Sequence, residues 1–205
     1  CVKMLRIHGH LIGFNNNFTI YDQSDSTKLV RNCMRDSDID TKQYSPKRIQ
    51  AHISSLKNQR ILPGEAVEFA QSFFDVKVAE IYSSYQKKLM LANSMDFDDL
   101  LIKAVELLET SDKSLNYWSS KFQYIMIDEY QDTNMVQYRL VELLASKHKN
   151  ICVVGDSDQS IYAFRGADIR NIEEFESDFK NAKVISLEKN YRSSQKILDI
   201  ANAVI

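Results

Sequence analysis

Residues 124–134 read YIMIDEYQDTN, a short apolar run that is followed directly by carboxylates. Residues 150–159 repeat this order as NICVVGDSDQ. Short segments that are apolar on both faces are typical of strands in a parallel sheet covered by helices. In such folds, ligands bind beyond the carboxyl ends of the strands. The polar residues that follow each segment are therefore the first candidates for a functional site.

Strand and helix patterns alternate over the C-terminal half of the chain. Apolar periodicity predicts strands over 124–127, 150–154 and 183–187, and helices over 98–109, 135–147, 169–176 and 194–205. This alternation predicts an α/β fold in which a parallel sheet is flanked by helices.

The N-terminal half has a helical pattern, and no alternation in it predicts a strand. Ser45-Pro46 predicts a helix start, because proline is favoured at the first helical position. Apolar residues recur at helical spacing over 65–89, which predicts one helix of about seven turns. We therefore divide the chain into a mainly helical subdomain, residues 1–92, and an α/β part, residues 93–205. The first helix is compatible with either part.

The composition is that of a globular chain. Of the 205 residues, 44% are hydrophobic, which is enough to build a sizeable core. No apolar run approaches the roughly 20 residues that a membrane span requires. Cys1, Cys33 and Cys152 form neither a CxxC motif nor a disulfide framework, which favours a reducing, cytoplasmic location. A first residue that is not Met and a last helix that looks unfinished lead us to expect a fragment.

Charge alone does not decide whether the chain binds nucleic acid. The net charge is −2, but residues 1–95 contain 13 Lys and Arg against 9 Asp and Glu, whereas residues 96–205 contain 13 against 19. A small positive excess spread over so many residues is usually an ordinary solvated surface. The motifs must therefore carry the functional argument.

Asp128 and Glu129 directly follow the strand predicted over 124–127. A carboxylate at a strand tip beside a nucleotide commonly holds Mg²⁺ in P-loop ATPases, and a second carboxylate can orient or deprotonate the attacking water. Asp128 is thus the candidate metal ligand, and Glu129 the candidate base. Taken alone, such a pair is more often part of a solvated loop or a cap of the next helix, so the neighbouring motifs must decide.

The strand predicted over 150–154 is followed by GDSDQSIYAFRGA. Gln159 carries an amide that can both donate and accept hydrogen bonds. The aromatic rings of Tyr162 and Phe164 can stack on unpaired bases, and Arg165 can add a phosphate or cation–π contact. In most proteins such a stretch is ordinary core or turn, so its interpretation depends on the neighbouring carboxylates.

The strand predicted over 183–187 leads to Tyr191 and Arg192. An arginine at a helix start can reach a neighbouring phosphate, and a tyrosine before it can lie against a nucleobase. Ser193 or Ser194 is the expected helix cap.

Together, these motifs resemble the second, third and fourth motifs of the UvrD/PcrA/Rep family of superfamily 1 DNA helicases. The resemblance is carried by residues 128–134 (DEYQDTN), 155–162 (GDSDQSIY), 164–168 (FRGAD) and 190–193 (NYRS). Their order and spacing also match, and the similarity extends over almost the whole chain. The resemblance implies an incomplete P-loop NTPase (RecA-like) domain with a parallel sheet flanked by helices, plus an all-α inserted subdomain.

The resemblance also implies ATP and Mg²⁺ as cofactors, and single-stranded DNA and its junctions with duplex DNA as partners. The implied roles are Mg²⁺ binding by Asp128, catalytic base for Glu129, γ-phosphate sensing by Gln159, single-stranded DNA contact by Tyr162 and Phe164, DNA contact or domain coupling by Arg165, adenine stacking by Tyr191 and γ-phosphate contact by Arg192. Phe164 departs from the pattern, because members of this family often have Trp there.

A phosphate-binding loop of the form GxxxxGK[ST] occurs at none of the five glycines. In the family, this loop precedes the residue numbered 1 here, and a second motor domain follows Ile205. We expect the whole helicase to use ATP to move 3′ to 5′ along single-stranded DNA and to unwind duplex DNA in repair or replication. We expect this chain alone to be inactive.

Two other functions stay open on the sequence alone. A metal-dependent nuclease would need several carboxylates that converge on two metal ions. A non-catalytic module for DNA or protein interaction would keep the motifs without turnover. Asp96, Asp98 and Asp99 lie at the start of a predicted helix, a position that favours capping over metal binding.

Overall fold

A computed structural model describes residues 1–163 and 166–204 of the chain. The helices are α1 (Val2–His8), α2 (Gln23–Asp36), α3 (Pro46–Asn58), α4 (Phe73–Leu91), α5 (Phe97–Thr110), α6 (Asp112–Lys121), α7 (Met135–Ala145), α8 (Arg170–Glu173), α9 (Phe175–Asp178) and α10 (Gln195–Asn202). The strands are β1 (Thr19–Tyr21), β2 (Ser94–Asp96), β3 (Ile125–Ile127) and β4 (Ile151–Val153). Within these described residues, no helix is both long and apolar enough to cross a bilayer.

The strands form two parallel pairs. In one pair, Thr19 of β1 lies opposite Ser94 of β2; in the other, Ile125 of β3 lies opposite Ile151 of β4. Helices connect the strands of each pair, as parallel pairing requires. The predicted α/β class with parallel strands is therefore confirmed.

β1 corrects the prediction that residues 1–92 contain no strand. Its three residues are Thr, Ile and Tyr, types that fit a pleated and half-buried surface. A strand this short shows no alternation, so only its pairing with β2 reveals it. Leu5 of α1 also packs with Met95 and Leu107 across the same boundary. The division of the chain at residue 92 stays a prediction.

α4 begins later than the helix predicted over 65–89. Its N-cap is Ser72, whose Oγ accepts a hydrogen bond from the Asp75 backbone N–H at 3.2 Å. The backbone of Ser72 is extended, with φ −143° and ψ 163°, so the helix cannot continue toward the N-terminus. The 19 residues of α4 make about five turns, two fewer than predicted.

Two predictions for the C-terminal part are wrong. No strand forms over 183–187, where Val184 and Leu187 are exposed, because a strand requires a hydrogen-bonded neighbour and none of the described strands pairs with this segment. The helix predicted over 169–176 is divided into α8 and α9. Each of these single turns is held by its own tertiary contact, α8 by the side chain of Asn171 and α9 by the ring of Phe175.

The buried apolar residues form three clusters. The largest joins α2, α3 and α4, and includes Ile53 and Tyr82. A second joins α1, α5, α6 and α7 around Trp118, and the third packs α1 against β2 and α5 around Leu5. The β3–β4 pair is less covered, since Met126 is 78% exposed.

Candidate functional site

The two motif loops, which are the loops that follow β3 and β4, leave the sheet next to each other. Beyond the last paired residues, the Val154 N–H donates to the Ile127 carbonyl at 2.8 Å, and the Tyr130 N–H donates to the Val154 carbonyl at 2.9 Å. Since β3 and β4 are parallel, both loops emerge at the same edge of the pair. The prediction that polar residues directly follow two parallel strands is confirmed, and the pairing of β3 with β4 shows that these strands are neighbours.

Glu129 has an unusual backbone conformation. Its φ of 50° and ψ of 45° are left-handed, a region that non-glycine residues rarely occupy. The preceding carboxylate contributes to this turn, because Asp128 Oδ1 accepts the Glu129 N–H at 3.0 Å. Such a conformation costs on the order of 1 kcal/mol or more, and it persists only where surrounding contacts hold it in place. Residues held in this way are concentrated at functional sites.

A hydrogen-bonded path connects Glu129 to Gln159. Gln131 Nε2 donates to Glu129 Oε2 at 2.8 Å, and Gln131 Oε1 accepts the Asp156 backbone N–H at 3.1 Å. Asp156 Oδ2 in turn accepts from Gln159 Nε2 at 2.7 Å. The carboxylate after β3 and the amide after β4 therefore belong to one network.

Gln131 is the central residue of this path, and the sequence did not predict a role for it. Its side chain is 1% exposed, so an amide at this position must find its partners within the protein. The usable signal in the sequence was an amide only two residues after Glu129, inside a motif otherwise rich in carboxylates.

Gly155 is required by the close approach of the two loops. A Cβ atom there would lie 2.7 Å from both Gln131 Oε1 and Ile172 Cδ1, which is closer than real contacts of this kind. Glycine thus lets the loop after β4 pass directly over Gln131.

A cleft of about 330 Å³ opens beside this network. Asp128, Glu129 and Asp132 contribute carboxylates to its wall, and Asp132 Oδ1 is buried with no hydrogen-bond partner among the described residues. Among the described residues, no group of three or more His, Cys, Asp or Glu side chains is arranged to hold a metal ion. The donor set fits Mg²⁺, which proteins usually bind through one or two carboxylates, with phosphates and water as further ligands.

The buried ring of Tyr130 anchors the turn between Glu129 and Gln131. It is fully buried and meets the edge of Phe175 at a centroid distance of 5.6 Å. Burial, with a smaller effect from Asp178, raises the pKa of Tyr130 to about 12. Tyr130 therefore stays neutral at physiological pH.

The loop after β4 contains Tyr162, Phe164 and Arg165, the predicted DNA contacts, and we call it the proposed DNA loop. It is only partly described. Tyr162 is half-buried, and its carbonyl accepts the Ala167 N–H at 3.3 Å. Phe164 and Arg165 lie outside the described residues. The end of the loop is attached to the loop after β3, because the Asp168 N–H donates to the Thr133 carbonyl at 2.9 Å.

Tyr191 and Arg192 are placed apart from this network. Tyr191 is 86% exposed, and the Lys189 Nζ lies 5.0 Å from the centre of its ring. The backbone N–H groups of Arg192 and Ser193 both donate to Asn190 Oδ1, which forms a tight turn before α10. Among the described residues, no hydrogen bond joins this turn to Glu129 or Gln159.

Two of the acidic residues at the start of α5, Asp96 and Asp99, act as caps, as predicted. Asp96 Oδ1 accepts the Asp99 N–H at 2.8 Å, and Asp99 Oδ2 accepts the Asp96 N–H at 3.3 Å, which makes a capping box. The same carboxylates bind the buried Lys57 Nζ at 2.7 and 2.8 Å. Burial alone lowers the pKa of Lys57, but the two carboxylates outweigh it and raise the pKa above its ordinary value.

Comparison with known proteins identifies the family. Over all 205 residues, the chain is 48% identical to proteins named ATP-dependent DNA helicase PcrA from Staphylococcus epidermidis and from Staphylococcus aureus. It spans 28% of the length of these relatives. The sequence model of the UvrD/REP helicase N-terminal domain matches residues 1–180. The chain therefore belongs to the UvrD/REP helicase N-terminal domain family.

Proposed function

We propose that this chain is part of the first motor domain of an ATP-dependent DNA helicase, and that this domain has a RecA-like P-loop NTPase fold. The observation that carries the proposal is the path from Glu129 through Gln131 and Asp156 to Gln159. It joins a carboxylate suited to activate water to the loop that contains Tyr162. Hydrolysis and DNA contact would then share one rigid frame.

Asp128 is the residue to which we assign the metal. Bound Mg²⁺ supplies positive charge that offsets the negative charge of the β- and γ-phosphates. Asp128 and Asp132 both line the cleft beside β3, so they provide the oxygen ligands that this ion prefers. The phosphate-binding loop would come from outside residues 1–205.

We assign to Glu129 the role of the base that removes the proton from the attacking water. Gln131 holds its Oε2, and we assign the water to the other oxygen, Oε1. Glu129 also lines the same cleft as Asp128. General base catalysis by a residue held in this way contributes roughly 10²–10⁴-fold to a rate.

Gln159 is the proposed γ-phosphate sensor, and its bond to Asp156 ties it to the Glu129 side of the network. We assign Tyr191 to adenine stacking and Arg192 to the γ-phosphate; both side chains are exposed. Tyr162, Phe164 and Arg165 are the proposed contacts to single-stranded DNA or its duplex junctions. Translocation from 3′ to 5′ and a role in repair or replication belong to the same proposal.

The division of the chain is also proposed in this light. Residues 1–92, apart from the first helix, would form the inserted helical subdomain, and residues 93–205 the C-terminal part of the motor domain. The close contact of α1 with α5 supports the assignment of the first helix to the motor core.

The decisive experiment is Glu129→Gln in a full-length helicase that carries this chain. The amide keeps the size of the carboxylate but cannot accept a proton, so we expect kcat for ATP hydrolysis to fall by about 10²–10³-fold. Dissociation constants for ATP and for single-stranded DNA should change by less than about threefold, or about 0.7 kcal/mol. Steady-state hydrolysis and fluorescence titration measure these quantities.

Glu176→Gln is the matched control, since it makes the same chemical change on exposed α9 and should leave kcat unaltered. Hydrolysis at the original rate by the Glu129 variant would show that another residue is the base.

A further inference from the structure

Asn58, the last residue of α3, makes hydrogen bonds to three different elements. Its Oδ1 accepts from Asn134 Nδ2 at 2.7 Å, and its Nδ2 donates to the Ser54 carbonyl at 2.8 Å and to Asp98 Oδ1 at 3.3 Å. Ser54 belongs to α3 itself, Asp98 to α5, and Asn134 to the segment between β3 and α7. One amide thus connects the helical cluster of α2, α3 and α4 to the motif loops.

The residue before Asn58 holds this end of α3 in place. Lys57 is 1% exposed, and its ammonium group binds the carboxylates of Asp96 and Asp99 at the start of α5. A buried lysine paired with two carboxylates is costly to displace. The Asn58 side chain is therefore presented from a firmly held position.

Asn134 lies where the two motif loops meet. It is 7% exposed and forms the capping box that begins α7, with Gln137 as its partner. It follows Thr133, whose carbonyl accepts both the Asp168 N–H and Asn171 Nδ2. The hydrogen bond from Asn134 to Asn58 therefore acts on the loop after β3 and on the end of the loop after β4.

The loop after β4 also passes directly beside Asn58. A Cβ atom on Gly166 would lie 3.4 Å from Asn58 Cβ. Gly166 has a φ of +87°, a backbone conformation that residues with a side chain rarely adopt. Two independent contacts, one through Asn134 and one at Gly166, thus locate the end of α3 against the proposed DNA loop.

We propose that Asn58 is a positioning residue that couples the binding of single-stranded DNA to ATP hydrolysis. It sets the position of α3 relative to the loop that carries Glu129 and the loop that carries Tyr162. Single-stranded DNA bound to the Tyr162 loop can then change the position of Glu129. This inference rests on the proposed function. Asn58 itself touches neither nucleotide nor DNA and acts through Asn134.

The test measures ATP hydrolysis by a full-length helicase with and without a single-stranded oligonucleotide. In Asn58→Ala, we expect DNA-stimulated kcat to fall about 10-fold, the size expected for the loss of the hydrogen bond to Asn134. The rate without DNA and the KM for ATP should stay within about twofold, which corresponds to about 0.4 kcal/mol. A residue that only stabilises the fold would not divide the two rates in this way.

Gln59→Ala is the matched control. Gln59 is the next residue along the chain, and within the described part of the chain its side-chain amide donates only to Ser55 Oγ of α3, at 3.0 Å. Its removal should leave DNA stimulation at the wild-type level.

A second variant approaches the contact from its other side. Asn134→Ser keeps a residue that caps helices well, but its hydroxyl is too short to reach Asn58. It should lower the ratio of stimulated to unstimulated turnover by the same factor, and the double variant should lower it no further, because both changes remove the hydrogen bond between Asn58 and Asn134 that carries the coupling.

The outcomes of these measurements separate a failure of this inference from a failure of the proposed function. Equal stimulation in wild type and Asn58→Ala overturns this inference alone, and so does an equal fall of both rates together with a lower Tm. A wild-type enzyme that single-stranded DNA does not stimulate overturns the proposed function and this inference with it.

Discussion

Gln131 carries the connection between the two motif loops. Its amide donates to a carboxylate two residues away and accepts from a backbone N–H 25 positions away. The first of these bonds is local and the second is not. Reasoning from sequence could therefore select Glu129 and Gln159 as separate candidates, but it could not join them.

Asp98 is a residue whose ionisation should be measurable. Burial raises its pKa above the ordinary value, with hydrogen bonding from Ser54 acting in the opposite direction. Above the folded-state pKa, the ionised carboxylate therefore reduces stability, and this cost disappears as the pH falls through that value. Asp98→Asn removes the titration.

We therefore expect Asp98→Asn to raise the Tm relative to the wild type at pH 7–8, and we expect the difference to shrink as the pH is lowered. Thermal unfolding followed by circular dichroism, from pH 8 down to below the folded-state pKa of Asp98, provides the test. A difference that grows with acidity would contradict the assigned direction of the pKa shift.

At the scale of elements, the helix boundaries divide into those with local causes and those without. The start of α3 at Pro46 was predicted, because proline at the first helical position is a local signal. The start of α4 was placed too early, since the apolar spacing continues through residues that form turns before Ser72. Periodicity alone does not separate these cases.

The contact between α3 and α5 depends on one buried ion cluster. Lys57 of α3 binds Asp96 and Asp99, and Tyr85 of α4 donates its hydroxyl to Asp96 Oδ2 at 2.8 Å. Three helices thus meet at two carboxylates. The sequence predicted the capping role of these carboxylates but not their lysine partner, which is about 40 positions away.

Lys57→Met should destabilise the chain by about 3–5 kcal/mol, because it leaves two buried carboxylates without their cation. Urea unfolding measures the change. Lys47→Met, at an exposed position of the same helix, controls for the change of residue type and should cost less than about 0.5 kcal/mol. Similar stability of the two variants would show that the cluster contributes little.

At the scale of the whole molecule, the β3–β4 pair places Asp128, Glu129 and Gln159 at one edge, but these residues make only part of the proposed nucleotide site. The described residues provide carboxylates and amides around the cleft, and the sequence contains no GxxxxGK[ST] loop to hold the phosphates. Such loops contribute backbone N–H groups and a lysine to nucleotide binding.

The chain of 205 residues should therefore bind ATP weakly when it is alone. Isothermal titration with ATP and Mg²⁺ should detect no binding at concentrations up to about 100 μM, and no phosphate should be released. Micromolar affinity or measurable hydrolysis would show that this chain holds a complete site of another kind.

The sequence by itself determined the α/β class and the places of Asp128, Glu129 and Gln159 after predicted strands, because short apolar runs that end in polar residues are local signals. Only the tertiary structure decided that Gln131 joins the loops, that Asn58 holds them to α3, and that no strand forms over 183–187. Each of these depends on the presence or absence of a partner distant in the chain, such as Asn134, which lies 76 positions from Asn58. Distant pairings of this kind leave no periodic trace in the sequence.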